Sequence, residues 1–412
     1  MAMKMAEMVV LRRDPRVELT SLREAVVTDN GLQPFLHRSG TGTLYVQAQL
    51  PQKPFPANRI VMKGTLLATY ESADNGAHWE RSIPDPQDNE VNWEGGAFVL
   101  LGGQLAFLDT YVTPGTEPGS GEGLLWRSAG AFAEAKPEPI TFELPGVRFT
   151  GSTDDCGDSH AAARLHRRVL RLPEGDLLTT LYCWFDGDDV PVPYMPSMKK
   201  TRVVLLRSTD DGRSWRLQST IAQPAHFDGS SEGFNEAVLG RVSQTGRLLC
   251  FMRTGRELCQ ATSDDNGRSW SGPRPVLADF IDIRRTADWA SLFPGESGGE
   301  PQTELSGAVV DPDLIELSSG ELVLAFGVRI PEKACWRNPS YPRNGNYIAV
   351  SLDQGETWSH IAQVTSGTQT THYMGVVELA PGRIGIVYDV GTWGGGNPRG
   401  IRFRELALTV AQ

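Results

Sequence analysis

An all-β fold, built as one array of repeated hairpins, is what this 412-residue chain predicts, and three observations carry it. The first is an eight-residue phrase written four times: Ser72-Ala-Asp74-Asn-Gly76-Ala-His-Trp79, Ser208-Thr-Asp210-Asp-Gly212-Arg-Ser-Trp215, Ser263-Asp-Asp265-Asn-Gly267-Arg-Ser-Trp270 and Ser351-Leu-Asp353-Gln-Gly355-Glu-Thr-Trp358. Ser, Asp, Gly and Trp recur at the same places in each copy, which marks an internal repeat. The second is a looser unit of apolar run, Gly-containing turn and apolar run, found between the copies. The third is composition: 44 Gly, 27 Pro and 10 Trp suit a chain of many turns in which Trp staples each repeat.

Each part of the phrase has a turn logic. Asp bonds its own backbone two residues on, Gly takes the positive φ of a tight turn, and Trp packs the turn onto the strand that follows. The looser units read as hairpins of short strands: Phe35–Val46, Phe98–Phe107, Val169–Leu178, Ala237–Leu249, Leu314–Leu324 and Val376–Val387. Six hairpins imply six blades, placed roughly at 30–85, 90–145, 160–222, 232–277, 305–363 and 370–412. Phrase spacing agrees. The interval from Ser208 to Ser263 is one blade, and that from Ser72 to Ser208 is more than twice as long, enough for two blades with one phrase lost. Trp126-Arg-Ser128-Ala-Gly130 is its degenerate remnant. The interval from Ser263 to Ser351 holds one blade and an insertion rich in Asp, Gly and Pro, from about Ala278 to Ser306, which reads as a loop over one face. The chain after Trp358 is long enough for three more strands, so a strand near Val17-Glu-Leu-Thr20 is expected to supply the fourth and close the ring, which removes exposed edges. Ala161–Leu170 has helical composition but sits where the third blade needs its first strand, and the repeat outranks local propensity there.

The phrase resembles the Asp box of the sialidase superfamily. That resemblance implies a six-bladed β-propeller of sialidase type, one domain over 1–412, with the boxes on the outer rim as structural links between the third and fourth strands of a blade. The boxes are not calcium loops of the EF-hand kind, because no bidentate Glu follows at the twelfth position and no helices flank them.

Charge and cysteine usage narrow the partners. A net charge of −11 without a basic run argues against nucleic acid and anionic membrane. Five cysteines, odd in number and never spaced Cys-x-x-Cys, read as free thiols, with neither zinc nor redox cofactor expected. Met1 to Asp14 is too short and too interrupted by charge for a signal peptide, so a cytoplasmic location is expected, with no cofactor and a carbohydrate as substrate.

In a propeller the first strand of every blade starts near the axis and the second returns to the same face. Starts of the first strands read Gln33, Glu94, His160, Asn235-Glu236, Asp311-Pro-Asp313 and His372-Tyr373. Ends of the second strands read Gln49, Asp109-Thr-Tyr111, Tyr182-Cys-Trp184, Arg253, Arg329 and Tyr388-Asp389. Polar and titratable residues recur at each blade, which predicts an axial pocket. Three stretches resemble sialidases. Glu236 with Arg253 one hairpin later resembles the catalytic Glu and a carboxylate-binding Arg. Arg343, in Tyr341-Pro-Arg343 ahead of the last box, resembles a second such Arg. The stretch from Tyr373 to Asp389 resembles the one that opens on the catalytic Tyr. The resemblance implies Tyr373 as nucleophile or base and Glu236 as its activating partner. A neutral Tyr suits a sugar whose anomeric carbon bears a carboxylate, because an anionic nucleophile would be repelled, and arginines clamp that carboxylate.

The chain departs from the family in two places. Leu32-Gln33-Pro34 has Leu where the first Arg of the family stands, and Pro51–Gly64, where the family's acid/base Asp lies, contains no acid. The proton donor then falls to Glu94, beside Gly95-Gly96, or to His160, which follows Asp154-Asp155-Cys-Gly-Asp158. Arg329, Asp313 and Trp184 are expected to bind substrate, and Trp184, Trp289, Trp336 and Trp393 are placed in loops suited to stacking on sugar rings. His372 and Tyr373 cannot share a face of a regular strand, and Tyr373 is expected to point inward. The resulting expectation is a sialidase-like exo-glycosidase for a terminal acidic sugar. Alternatives are a polysaccharide lyase acting on uronic acids and a noncatalytic carbohydrate-binding propeller.

Overall fold

The structure, a computed structural model, describes residues 7–50, 66–83, 91–128, 130–149, 163–193, 195–277, 307–329, 342–366, 370–391 and 399–411. These residues form an all-β, propeller-like arrangement of antiparallel meanders. The first meander runs Leu32–Arg38, Leu44–Leu50, Leu66–Ser72 and Glu80–Arg81. The second (Ala97–Val99, Leu105–Leu108, Ser120–Ser128, Lys136–Glu143) and third (Ala163–Arg171, Leu177–Phe185, Arg202–Ser208, Ser214–Ala222) share one ten-stranded sheet. Two contacts fuse them: the short strand Tyr111–Pro114 pairs with both, and Thr141–Glu143 runs parallel to Ser214–Arg216. The fourth comprises Asn235–Arg241, Leu248–Arg253, Leu258–Ser263 and Arg274–Val276. The fifth comprises Ala308–Glu316, Leu322–Arg329, Gly345–Ser351 and His360–Gln363. The last strands, Met374–Ala380, Arg383–Val390 and Gly400–Val410, form a sixth meander whose outer neighbour is Val17–Thr28, paired antiparallel to Gly400–Val410. The pairing expected near Val17 thus extends much further along the chain. A strand that sequence reading did not foresee, Val9–Arg12, adds a fifth strand outside His360–Gln363.

Inner strands are buried on both faces, as Leu44–Leu50 and Gly345–Ser351 show by being buried throughout, Gln47, Gln49 and Asn346 included. That is the burial expected where a sheet is packed on both sides. The core is divided among six apolar clusters, and each lies between two meanders. Phe35, Trp93 and Phe107 join first to second, Phe98, Leu165 and Trp215 second to third, and Leu205, Leu239 and Met252 third to fourth. Phe251, Phe326 and Trp358 join fourth to fifth, Ile348, Val376 and Ile386 fifth to sixth, and Val46, Val377 and Phe403 sixth to first. The segment of helical composition is strand, Ala163–Arg171. Apolar residues packed on both sides select the extended form there over helix propensity.

The four boxes close as tight turns. In each, the Ser hydroxyl bonds the Asp carboxylate at 2.8 Å and accepts the Gly N–H at 2.9 Å. The same carboxylate accepts the N–H of the residue before Trp at 2.9 Å. Residue four of the box and the Gly both take positive φ, as at Asn75 (58°) and Gly76 (87°). The remnant has none of these bonds among the described residues; its Ser128 Oγ accepts instead from the Gly130 N–H, two residues on, at 3.1 Å. Cys183, Cys250 and Cys259 are buried free thiols.

Candidate active site where the inner strands converge

The first strands of the meanders bend at corresponding points. Gln33 (φ 52°), Arg167 (67°), Glu236 (37°) and Asp311 (50°) each occupy a β-bulge, between Leu32 and Phe35, His166 and Leu170, Asn235 and Val238, and Val310 and Asp313. His372 (72°) lies just ahead of Met374–Ala380, and in the second meander Gly96 (118°) precedes Ala97–Val99. A bulge interrupts strict alternation and re-aims a side chain. Pro34 and Pro312 follow two of these positions, where the ladder requires no N–H.

The bulges bring Tyr373, Glu236 and Arg253 into contact. The Tyr373 hydroxyl donates to Glu236 Oε1 in a short hydrogen bond. Arg253 Nη1 lies 3.0 Å from both Glu236 oxygens, and its Nη2 lies 3.0 Å from Glu232 Oε1. Tyr373 is 6% exposed and Glu236 9%. Burial pushes the Tyr373 hydroxyl well above its ordinary pKa, and the Glu236 charge pushes it further. Burial also opposes ionisation of Glu236, but Arg253, His166 and the Tyr373 hydroxyl outweigh it and hold that carboxyl below the usual range. The pair is therefore a neutral phenol donating to a carboxylate. Asn346 Nδ2 reaches the Tyr373 carbonyl at 3.4 Å, which ties the strand start to the fifth meander.

Beside this trio lies a second charged group. His166 Nε2 is 3.6 Å from Glu94 Oε1 and 3.5 Å from Asp311 Oδ1, while its Nδ1 is 3.1 Å from the Ala237 carbonyl, which the bulge at Glu236 releases from the ladder. Arg167 pairs with Asp311 through Nε at 3.1 Å and through Nη2, and its guanidinium covers the Phe35 ring at 4.6 Å. Asp311 in turn accepts the Met374 N–H at 3.1 Å. Arg164 reaches the Tyr182 hydroxyl at 3.3 Å and lies over the Tyr111 ring. Glu94 belongs to the short 3-10 turn Trp93–Gly95 and is 4% exposed. The chain approaches so closely there that a Cβ on Gly95 would meet the Leu108 carbonyl at 2.6 Å. Burial raises the Glu94 pKa, with Glu236 and Asp311 adding to the rise while His166 and Arg164 oppose it. Such an environment favours the protonated acid. Among the described residues no group of three His, Cys, Asp or Glu is arranged to hold a metal ion.

The other expected site residues are placed as follows. Arg329 ends Leu322–Arg329 and donates to the Thr371 carbonyl at 3.3 Å. Arg343 is half-buried in the turn before Gly345–Ser351, its carbonyl accepting from Tyr347 Oη at 2.6 Å. Asp313 is 1% exposed and taken up by Arg168, with two contacts of 2.8 Å, and by the Val376 N–H at 2.9 Å. Trp184 corrects an expectation, because it lies within Leu177–Phe185 and not in a loop. It is 5% exposed and its indole N–H is spent on the Lys199 carbonyl at 2.7 Å. His160, Trp289, Trp336 and Trp393 lie outside the described residues. Sequence reading did not single out His166, Arg167, Arg164 and Glu232. The signal for Arg167 was the polar residue that Gln33, Glu236 and Asp311 supply at the same point of three other first strands, hidden in a segment whose Arg and Ala content read as helix. His372 is buried and packs over Gly327, where a Cβ would meet the His372 carbonyl at 2.1 Å. The strand start is irregular, so the alternation that set His372 against Tyr373 does not operate.

This arrangement can be compared with known proteins. A family model described as a BNR repeat-like domain matches residues 152–386, more than half of the chain, and the chain belongs to that family. Its fold is that of the sialidase-like superfamily. A Dyadobacter fermentans protein of unknown function superposes with a TM-score of 0.63 at 16% identity, covering 96% of this chain and 100% of that one. The Hadza microbial sialidase Hz136 gives 0.56 at 16% identity, with 92% of this chain and 66% of that one covered, so this chain spans less than two thirds of that sialidase. A Penicillium chrysogenum alpha-L-arabinanase complexed with arabinobiose gives 0.53 at 12% identity, covering 94% and 98%. No curated protein matches the sequence.

Proposed function

We propose that this chain is a sialidase-like glycoside hydrolase: a six-bladed propeller closed by Val17–Thr28, with the ten-stranded sheet counting as two blades, that cleaves a terminal acidic sugar at the converging inner strands. The buried hydrogen bond from Tyr373 to Glu236, with Arg253 on the carboxylate's other side, is the observation that carries the reading. As Tyr373 Oη attacks the anomeric carbon its proton passes to Glu236, which Arg253 keeps ionised until then. Glu94, whose burial favours the protonated form, gives its proton to the departing glycosidic oxygen. Water then cleaves the glycosyl-tyrosine: Glu94, ionised by the first step, takes a proton from that water as its oxygen bonds the anomeric carbon, and Glu236 returns the phenolic proton to the departing Tyr373 oxygen. Arg343 and Arg329 are the anion clamp of this reading, and their places at the fifth meander's inner end support it. The two sialidase and arabinanase folds are carbohydrate-acting by name, which agrees with a sugar substrate.

The test is Tyr373→Phe assayed on aryl glycosides of acidic and neutral sugars. Turnover should fall by about a thousandfold while the urea unfolding midpoint stays near that of the unaltered protein. Undiminished turnover would remove Tyr373 from the mechanism. An unsaturated product absorbing in the near ultraviolet would move the reaction to a lyase, and glycan binding without turnover would make the site a lectin.

A further inference from the structure

The lost box leaves a place on the rim that the other boxes fill. Each intact box turn abuts the meander before it. A Cβ on Gly76 would meet Phe403 at 2.3 Å, one on Gly212 would meet Phe98 at 3.2 Å, one on Gly267 would meet Leu205 at 2.2 Å and one on Gly355 would meet Leu249 at 3.1 Å. The box Trp adds to this packing, as Trp79 against Phe403 and Trp358 against Phe251 show, with ring centroids 5.4 and 5.6 Å apart. The remnant in the second meander should abut the first. Aligned on Ser128, it has Gly130 for Asp, Phe132 for Gly and Ala135 for Trp. A Cβ on Gly130 would meet only Glu134 of its own turn, at 3.6 Å, and Phe132 instead points into the core against Phe107 at 4.8 Å. Between this turn and the first meander lies a cleft of about 820 Å³.

Its walls have a definite chemistry. Ser39, Thr41 and Thr43, on the tip of the first hairpin, present hydroxyls. Glu71 and Glu80 present carboxylates, the Asp74 carboxylate is paired with His78 Nδ1 at 2.6 Å, and Leu105 forms part of an apolar wall. No Lys or Arg is among the described residues that line it. Carboxylates and hydroxyls bond the paired hydroxyls of a sugar ring, apolar side chains cover its C–H face, and the charge repels anions. The volume lies in the range of small-molecule sites. We propose that this inter-blade cleft is a second carbohydrate site, which takes a short neutral oligosaccharide. The site is separate from the converging inner strands and does not depend on the hydrolase reading. Where the boxes elsewhere seal one meander to the next, loss of the Asp, Gly and Trp here exchanges a structural plug for a binding groove.

The test is calorimetric titration of the full chain with arabinotriose and maltotriose as neutral probes, sialyllactose as an anionic one and spermidine as a cationic one. A neutral probe should bind, and Thr41→Trp, at an exposed hairpin tip, should weaken it at least about tenfold. Glu71→Gln should weaken it with less disturbance to the turn, and Arg253→Ala should leave it unchanged. Loss of neutral-probe binding on Arg253→Ala with retention in Thr41→Trp would assign it to the inner strands and overturn the proposal. Absence of any neutral-probe binding, or binding of spermidine in its place, would overturn it as well. Turnover on aryl glycosides, measured in parallel, keeps failure of this site distinct from failure of the hydrolase reading.

Discussion

The rim and the centre of this molecule use one backbone device for opposite ends. At the rim, Asn75, Asp211, Asn266 and Gln354 take φ near 60° directly before a glycine, and the box Ser and Asp satisfy the turn's N–H groups. At the centre, Gln33, Arg167, Glu236, Asp311 and His372 take positive φ inside or just before a strand, and among the described residues only His372 has a short-range bond, its N–H to Thr370 Oγ1 at 2.9 Å. A non-glycine residue in that region costs about 1–3 kcal/mol and persists only where the surroundings fix it. The rim fixes it by short-range hydrogen bonds, so each box is self-contained. The centre fixes Arg167 and Asp311 by their ion pair between meanders and Gln33 by its N–H bond to Asp389 at 2.8 Å, so these inner positions depend on residues distant in sequence. Strain at the rim makes a turn, whereas strain at the centre points a charge inward.

The sharpest way to break this contrast is Arg167→Met. It would leave Asp311 buried beside Glu94 and Glu236 without its partner, and removing one member of a buried pair costs about 3–5 kcal/mol. Urea unfolding should report that loss, and Asp311→Asn in the same chain should recover part of it. Because Asp311 also holds the Met374 N–H, turnover should fall with stability and return incompletely in the double variant. A loss below 1 kcal/mol would show that the pair does not fix the centre.

At the rim the expected effect is smaller and local. Gly267→Ala would force a residue with a side chain to φ 78° and bring its Cβ within 2.2 Å of Leu205. The cost should be about 1–3 kcal/mol, read as a lower unfolding midpoint with turnover per folded molecule unchanged. Altered turnover would mean that the box communicates with the centre.

The difference also explains what could be read from the sequence. A box is a contiguous phrase in which Ser72, Asp74, Gly76 and Trp79 sit where short-range bonding needs them, so the repeat, the strand pairs and the remnant at Ser128 were legible. Tyr373, Glu236 and Arg253 were legible by resemblance and by their places at strand starts and ends. Arg167 and His166 were not, because the bulge between His166 and Leu170 is decided by packing against the fourth and fifth meanders and has no sequence mark of its own. Trp184 was misplaced for a similar reason. Its indole finds the Lys199 carbonyl, in a connection whose course no local pattern encodes.

The mildest test separates rim from centre by pH. The box carboxyls Asp210 and Asp353 lie below the ordinary range: burial opposes this, but hydrogen bonds from Ser214 and Thr357 outweigh it. A depressed folded pKa gives stability that is present above the unfolded value and lost as pH falls through the folded one. Glu94 and Asp311 are raised by burial, and burial lifts Asp109 to about 6. For these the sign reverses, because the folded state binds its proton first and stability rises as pH falls from neutrality towards the ordinary carboxylate range. The urea midpoint should therefore climb slightly from pH 7 to about 5 and drop below about 4. Asp109→Asn should flatten the climb and leave the drop, whereas Asp353→Asn should soften the drop and leave the climb. If the climb survived both Asp109→Asn and Glu94→Gln, these buried acids would not be its source, and the opposite response of rim and centre to pH would fail.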